Sequence, residues 1–270
     1  MEEEPASECK HSGIIHSQHT EANHIVEQFT QEHGICYISS GKMVVSDATE
    51  QITYTTGDVI FFRKNYLAKF KKLPDEGENF NSVTVVFDTP MLKEFYSQQS
   101  DRTAALREPG PGVIKLTGNL NLMNDYFATL ENYYKRILPP HLMELKTKEA
   151  LIILLEAAPS LKLTLFDFGY PGKIDLEAFM LKNYKFNVEM KKLAFLTGRS
   201  LASFKRDFKK IFNNTPARWV HEKRLQEAHF LLKENGRKPS EVYHEIGFET
   251  LAHFSFSFKQ HFGINPSALR

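Results

Sequence analysis

The sequence predicts an α+β chain of two domains: an N-terminal antiparallel β-barrel with flanking helices, then an all-α domain of two helix-turn-helix motifs joined by a long helix. Three observations carry that prediction. Short β-rich runs separated by Gly and Asp turns fill residues 34–88, helical periodicity takes over from about residue 91, and one pattern occurs twice in the last hundred residues, 50 positions apart. The first copy reads Leu201-Ala202-x-Phe204-x-x-x-Phe208-Lys209-x-x-Phe212 and closes on Thr215-Pro216. The second reads Leu251-Ala252-x-Phe254-x-x-x-Phe258-Lys259-x-x-Phe262 and closes on Asn265-Pro266. A repeat this regular marks one supersecondary unit built twice.

A chain of 270 residues is long enough for about two domains, each with its own core. No apolar run approaches the roughly 18 residues of a membrane span. The start, Met1-Glu2-Glu3-Glu4-Pro5, is acidic where a secretory signal needs positive charge, so a cytoplasmic location without membrane contact is expected. Cys9 and Cys36 are too few for a disulfide framework or a thiolate zinc site and read as reduced thiols. The net charge of +1 hides an asymmetry: residues 1–173 hold about 17 basic and 23 acidic side chains, residues 174–270 about 17 and 10. A compact basic tail is the electrostatic footprint of a phosphate-backbone binder.

Residues 1–24 lack hydrophobic periodicity and are rich in Glu, His and Ser, so a mobile N-terminal segment is expected. His11, His16, His19 and His24 fit no ligand spacing, and no metal site is expected there. The front domain is expected over residues 25–160. Its β-rich runs are Ile35-Cys36-Tyr37-Ile38, Met43-Val44-Val45, Gln51-Ile52-Thr53-Tyr54, Val59-Ile60-Phe61-Phe62 and Ser82-Val83-Thr84-Val85-Val86-Phe87. Turns at Ser40-Gly41-Lys42, Thr56-Gly57-Asp58 and Pro74-Asp75-Glu76-Gly77 separate them. The strand rhythm from His33 through Gly57-Asp58-Val59 resembles a cupin-type barrel. A metal-dependent enzyme of that kind needs clustered histidines pointing into the barrel, and residues 34–90 contain none. The barrel is therefore read as a container for a small ligand or a structural module. Tyr37, Tyr54, Phe61 and Phe62 are candidates to line a container, with plain core packing as the commoner role. Two helical stretches follow, Asn121 to Leu130 running into Tyr133-Tyr134, and Lys146 to Ala158 with Ala150, Leu151, Leu154 and Leu155 at helical spacing. They pack on the barrel or pair two copies of the chain. Breakers at Ala158-Pro159-Ser160 and Gly169-Tyr170-Pro171-Gly172-Lys173 predict a linker over residues 161–174 and the second domain over 175–270.

In the first motif, Val188 to Leu196 forms a short helix that Gly198 ends by adopting positive φ. Ser200 stands at the N-cap of the next helix. Phe204, Phe208 and Phe212 make a buried stripe, leaving Ala202, Ser203, Lys205, Arg206, Lys209 and Lys210 on the open face. Small and basic side chains on one face suit a helix in the major groove. The second motif runs from about Ser240 to Phe262, with Pro239-Ser240 starting its short helix and Gly247 ending it. It buries Phe254, Phe258 and Phe262 and exposes His253, Ser255, Phe256, Lys259 and Gln260, unless Phe256 folds into the core. The 50-residue offset sets Phe256 where the first copy has Arg206. A Phe can pack on a thymine methyl but cannot hydrogen-bond a base, so the second helix is expected to position more than it reads. Between the motifs Pro216 to Asn235 reads as one helix, with Trp219, Val220, Leu225, Ala228, Leu231 and Leu232 on its apolar side and Gly236 after it.

These residues resemble the AraC/XylS family of transcription regulators. The resemblance covers residues 176–270 closely. It rests on Leu193-Ala194, Gly198, Ser200, Phe208-Lys209, Pro216, Arg224, Ala228 and Leu231-Leu232, and above all on Ile246-Gly247-Phe248, Phe254, Phe258-Lys259, Phe262-Gly263 and Pro266 through Arg270. It implies a cupin-like front domain for effector sensing or dimerisation, and recognition helices over about 200–212 and 250–262 in successive major grooves. It also implies DNA contacts from Ser200, Ala202, Ser203, Lys205, Arg206 and Lys209, and from Thr250, Ala252, His253, Ser255, Phe256 and Lys259. The sequence departs from the family pattern at Phe256 and at Asn213, where glycine is usual; Asn adopts positive φ at small cost. The partners implied are double-stranded DNA, a small-molecule effector or a second copy of the chain, and RNA polymerase if the chain is an activator. No cofactor, catalytic residue or metal is expected. The alternative is a cupin-type enzyme fused to a DNA-binding tail.

Overall fold

The computed structural model describes residues 7–11, 13–20, 24–26, 29–75, 77–99, 110–133, 136 and 138–269, with 7–11 and 24–26 as backbone alone. The chain divides into two compact units, Met1–Gly169 and Tyr170–Arg270.

In the front unit the described strands are β1 (Ser7–His11), β2 (Ile14–His19), β3 (His24–Val26), β4 (His33–Ser40), β5 (Lys42–Ser46), β6 (Gln51–Thr55), β7 (Val59–Phe62), β8 (Lys69–Leu73), β9 (Phe80–Phe87) and β10 (Val113–Lys115). They form a six-stranded sheet in the order β1-β2-β9-β4-β7-β10 and a four-stranded sheet in the order β3-β8-β5-β6, antiparallel throughout. The large sheet is covered on both faces, which is why β7 reads as four consecutive apolar residues. Ile60 and Phe62, with Cys36 and Ile38, meet Met43, Val45, Tyr54 and Phe70 of the small sheet. Val59 and Phe61, with Ile35, Val83, Val85 and Phe87, meet helices on the other side. The two sheets face each other as a double layer, and among the described residues no strand ladder closes them into a ring.

The helices of that unit are α1 (Thr89–Ser97), α2 (Asn121–Glu131), α3 (Pro140–Ala157) and α4 (Lys162–Leu165). Asp88 caps α1 by accepting the Met91 N–H at 2.8 Å. Met123, Tyr126, Phe127 and Leu130 of α2 and Met143, Thr147, Ala150, Leu151 and Leu154 of α3 recur at three- and four-residue steps, and all are buried. Each large apolar side chain so buried contributes about 2 kcal/mol. The Tyr134 side of the predicted helix lies outside the described residues.

Two expectations are corrected. The segment expected to be mobile contains β2, which pairs with β9 from Ile14 opposite Val85 to His19 opposite Phe80 and buries Ile14, His16 and His19. A sheet edge recruits a strand through backbone ladder bonds, which need no apolar periodicity in the recruited segment. Residues 1–6, 12 and 21–23 of that segment lie outside the described residues. The expected linker over 161–174 begins inside the front core, where Leu161, Leu165 and Phe166 are buried. Pro159 follows the end of α3 and starts a further helical turn there.

The C-terminal unit is helical: α5 (Leu176–Asn183), α6 (Met190–Leu196), α7 (Leu201–Phe212), α8 (Pro216–Lys233), α9 (Pro239–Val242) and α10 (Leu251–Phe262), followed by a 3-10 turn at Pro266–Leu269. All six apolar residues assigned to the connector helix are buried in α8. No helix among the described residues is long and apolar enough to cross a membrane.

Candidate nucleic-acid interface

Each repeat is built from a short helix, a glycine turn and a capped long helix. Gly198 turns the chain at φ 66°, and a Cβ there would lie 2.4 Å from the carbonyl of Gly172. The Ser200 hydroxyl then accepts the Ser203 N–H at 3.2 Å, satisfying one free donor of α7. Gly247 makes the equivalent turn at φ 93°, and the Thr250 hydroxyl accepts the His253 N–H at 3.2 Å. The C-caps match as well: Asn213 and Gly263 are both left-handed, at φ 48° and 77°. In the second motif the short helix is one turn, α9, and the rest of the path to Gly247 is a run of turns.

Both phenylalanine stripes face inward against α8. Phe208 and Phe212 lie 5.6 and 4.5 Å, centroid to centroid, from Trp219 near its start. Phe262 and Phe258 lie 4.9 and 6.3 Å from His229 near its end. One helix thus anchors both motifs. Arg224, midway along it, ties the second motif to the end of α5: its guanidinium donates to the carbonyls of Tyr184 at 2.9 Å, Phe186 at 2.8 Å and Gly247 at 2.8 Å. Burial pushes that guanidinium down to about 10, so it stays charged at neutral pH. Arg224 entered the sequence reading as a family residue without a role. Three carbonyls converging from distant segments leave no trace in local pattern.

The stripes fix which side chains point outward. On α7, Ala202, Lys205, Arg206, Lys209 and Lys210 are exposed, and Ser203 is half-buried beside them. Arg206 does not extend freely: it donates to the Ser203 hydroxyl at 3.2 Å and to Asp207 at 3.4 Å. Asp207 also accepts from Arg199 at 3.2 Å. Partial burial works against its ionisation, but the hydrogen bonds and charge of Arg199 and Arg206 outweigh it and hold the carboxyl below its usual range. Sequence reasoning passed over this acidic residue on a basic helix. On α10, Ala252, His253, Lys259 and Gln260 are exposed and Ser255 is half-buried. Phe256 is 67% exposed, which decides against a core position. The twelve predicted contact residues therefore lie on two helices, with Ser200 and Thr250 serving as caps. Arg270, at the end of the family signature, lies outside the described residues.

In the front unit a cavity of about 230 Å³ is lined by Met43, Phe62, Phe70, Lys72, Ser17 and Thr84, among others. The Lys72 ammonium donates to the Ser17 hydroxyl at 2.9 Å. Of the four aromatics offered as a lining, Phe62 faces this space. Phe61 belongs to the helix-side core, Tyr54 to the inter-sheet core, and Tyr37 stacks on Phe127 at 5.2 Å. Cys36 is buried; the Cys9, His11 and His24 side chains lie outside the described residues. Among the described residues no group of three or more His, Cys, Asp or Glu is placed to hold a metal ion.

Residues 33–166 match the model of the ExsA N-terminal regulatory domain, and residues 193–270 that of a helix-turn-helix domain. The HTH-type transcriptional regulator ExsA of Pseudomonas aeruginosa is 24% identical, over 89% of this chain and 86% of that one. The virulence regulon transcriptional activator VirF of Yersinia enterocolitica is 31% identical over 137 residues, 49% of each chain. Among solved structures, apo ToxT from Vibrio cholerae aligns with 96% of this chain and 97% of its own at a TM-score of 0.47 and 12% identity.

Proposed function

We propose, from the premise that the chain belongs to the AraC/XylS family of transcription regulators, that it binds its DNA sites with α7 and α10 in successive major grooves. The carrying observation is the pair of capped helices with matching buried stripes, joined by one helix of 18 residues. At 1.5 Å per residue that connector spans about 27 Å, near the roughly 34 Å turn of B-DNA. Ala202, Ser203, Lys205 and Arg206 meet base edges, Lys209 a phosphate, and Ser200 lies at the α7 N-terminus where backbone donors face the duplex. Thr250, Ala252, His253, Ser255, Phe256 and Lys259 face the duplex from α10, with fewer polar base contacts and more positioning than on α7.

The front unit works as a binding module and not as an enzyme. Its inter-sheet cavity suits a small effector, and the exposed Leu145 and Ile152 of α3, two turns apart, suit pairing with a second copy. An activator, as VirF is by its name, would act in the cytoplasm and also touch RNA polymerase. The test is selection of duplexes from random DNA by the full chain, followed by anisotropy titrations in rising salt. Between about 50 and 200 mM salt the affinity is expected to fall roughly a thousandfold. Arg206→Ala is expected to lose about 1–3 kcal/mol of preference at a single base pair. Binding that is absent or insensitive to salt overturns the reading.

A further inference from the structure

Phe256 stands out from α10 into solvent, on the side opposite the buried Phe254 and Phe258. Two residues along an α-helix amount to about 200° of rotation, so a position flanked on both sides by the core stripe points straight outward. In α7 that position belongs to Arg206, flanked by the buried Phe204 and Phe208. The outermost side chain of the second helix is thus an aromatic ring in water, where it gains nothing until something covers it. Its neighbours suit a DNA groove. Ala252, one turn earlier, is small enough to let the helix approach closely, and Lys259, about one turn later, offers a cation to the backbone. Four cations share the open face of α7, whereas α10 has Lys259 as its one lysine, so a larger share of its recognition falls to apolar contact.

We propose that Phe256 is the specificity determinant of the second motif, packing against the 5-methyl group of a pyrimidine in the major groove. The proposal rests on the DNA-binding reading above and changes one part of the sequence expectation: the second helix reads a base as well as positioning the chain. Thymine differs from uracil only by that methyl group, and 5-methylcytosine carries the same group on a G·C pair. A methyl reader therefore accepts thymine and 5-methylcytosine and discriminates against uracil and cytosine.

The full chain is titrated against its selected duplex with each thymine of the second half-site replaced in turn by uracil. One replacement is expected to weaken binding about fourfold, the worth of one buried methyl-sized group. At that position a 5-methylcytosine·G pair is expected to bind more tightly than cytosine·G by a similar factor. Phe256→Ala is expected to bind the thymine and uracil duplexes alike with an unchanged salt slope, since no charge is removed. Circular dichroism, expected to superimpose on that of the parent, checks its fold. Phe256→Arg is expected to move the preferred base at that position to guanine and to steepen the slope by about one unit. The proposal is overturned if no uracil substitution weakens binding, or if Phe256→Ala keeps the discrimination. Either result leaves the DNA-binding reading intact; failure to bind any selected duplex overturns both.

Discussion

At the residue scale, Arg224 brings a charged fork into a place where three backbone carbonyls meet it. Lysine cannot reproduce that geometry, having a single ammonium in place of a planar fork. Arg224→Ala is expected to cost about 2–3 kcal/mol by stranding carbonyls that Arg224 satisfied, and Arg224→Lys to recover little of it. Trp219, the one tryptophan, is packed within the same unit, so urea unfolding followed by its emission reads both variants directly. His33 offers a second case. Its Nδ1 accepts the Lys64 N–H at 3.1 Å and its ring stacks on Phe61 at 5.6 Å. Burial, with the Lys64 and Arg63 charges nearby, lowers its pKa from 6.5 to about 3. The unfolded chain therefore takes up the proton first, and its stabilising effect is whole above pH 6.5 and is lost as pH falls toward 3. The front unit is expected to lose on the order of 1–2 kcal/mol between pH 7 and 5. His33→Asn, which keeps an acceptor without the titration, flattens that limb in urea midpoints followed by circular dichroism.

At the scale of elements, the turns separate two kinds of constraint. Ser200→Ala removes one cap and is expected to cost about 1 kcal/mol. Gly247→Ala is expected to cost more than twice that, because its backbone is left-handed and the new Cβ would lie 2.5 Å from the Lys185 carbonyl oxygen and 2.7 Å from the Arg224 Cζ. The same Trp219 signal ranks the two, and equal losses would count against this account of the turn. These elements were legible in the sequence because their causes are local: caps, positive-φ turns and a four-residue apolar rhythm lie within a few positions of one another. The Phe204 and Phe254 stripes, the Ser200 cap and the apolar side of α8 follow from spacing alone. Strand β2 was hidden because its partner β9 lies more than 60 positions away. The Arg206–Asp207–Arg199 link was hidden because it depends on side-chain directions across a turn. Whether Phe256 faced outward required the core to be built.

At the scale of the whole chain, an acidic front unit is joined to a basic tail, and each unit shows a separate candidate surface. On α3 the side chains of Leu145 and Ile152 are 65% and 52% exposed, an apolar pair that a single copy leaves in water. Replacing both with Glu is expected to convert a dimer to a monomer in sedimentation velocity without unfolding the front unit, since neither side chain belongs to the core. A wild-type chain that sediments as a monomer at micromolar concentration would remove dimerisation from the proposed function. The shared connector α8 has a further consequence, one of helical phase. Because one motif packs near its start and the other near its end, the length of α8 sets the angle as well as the distance between the two reading helices. One inserted residue would rotate one motif against the other by about 100°, whereas seven residues, nearly two turns, would restore the phase and add roughly 10 Å. That is about three base pairs at 3.4 Å each, so under the proposed docking the spacing of the DNA site follows the residue count of a helix that need touch no base.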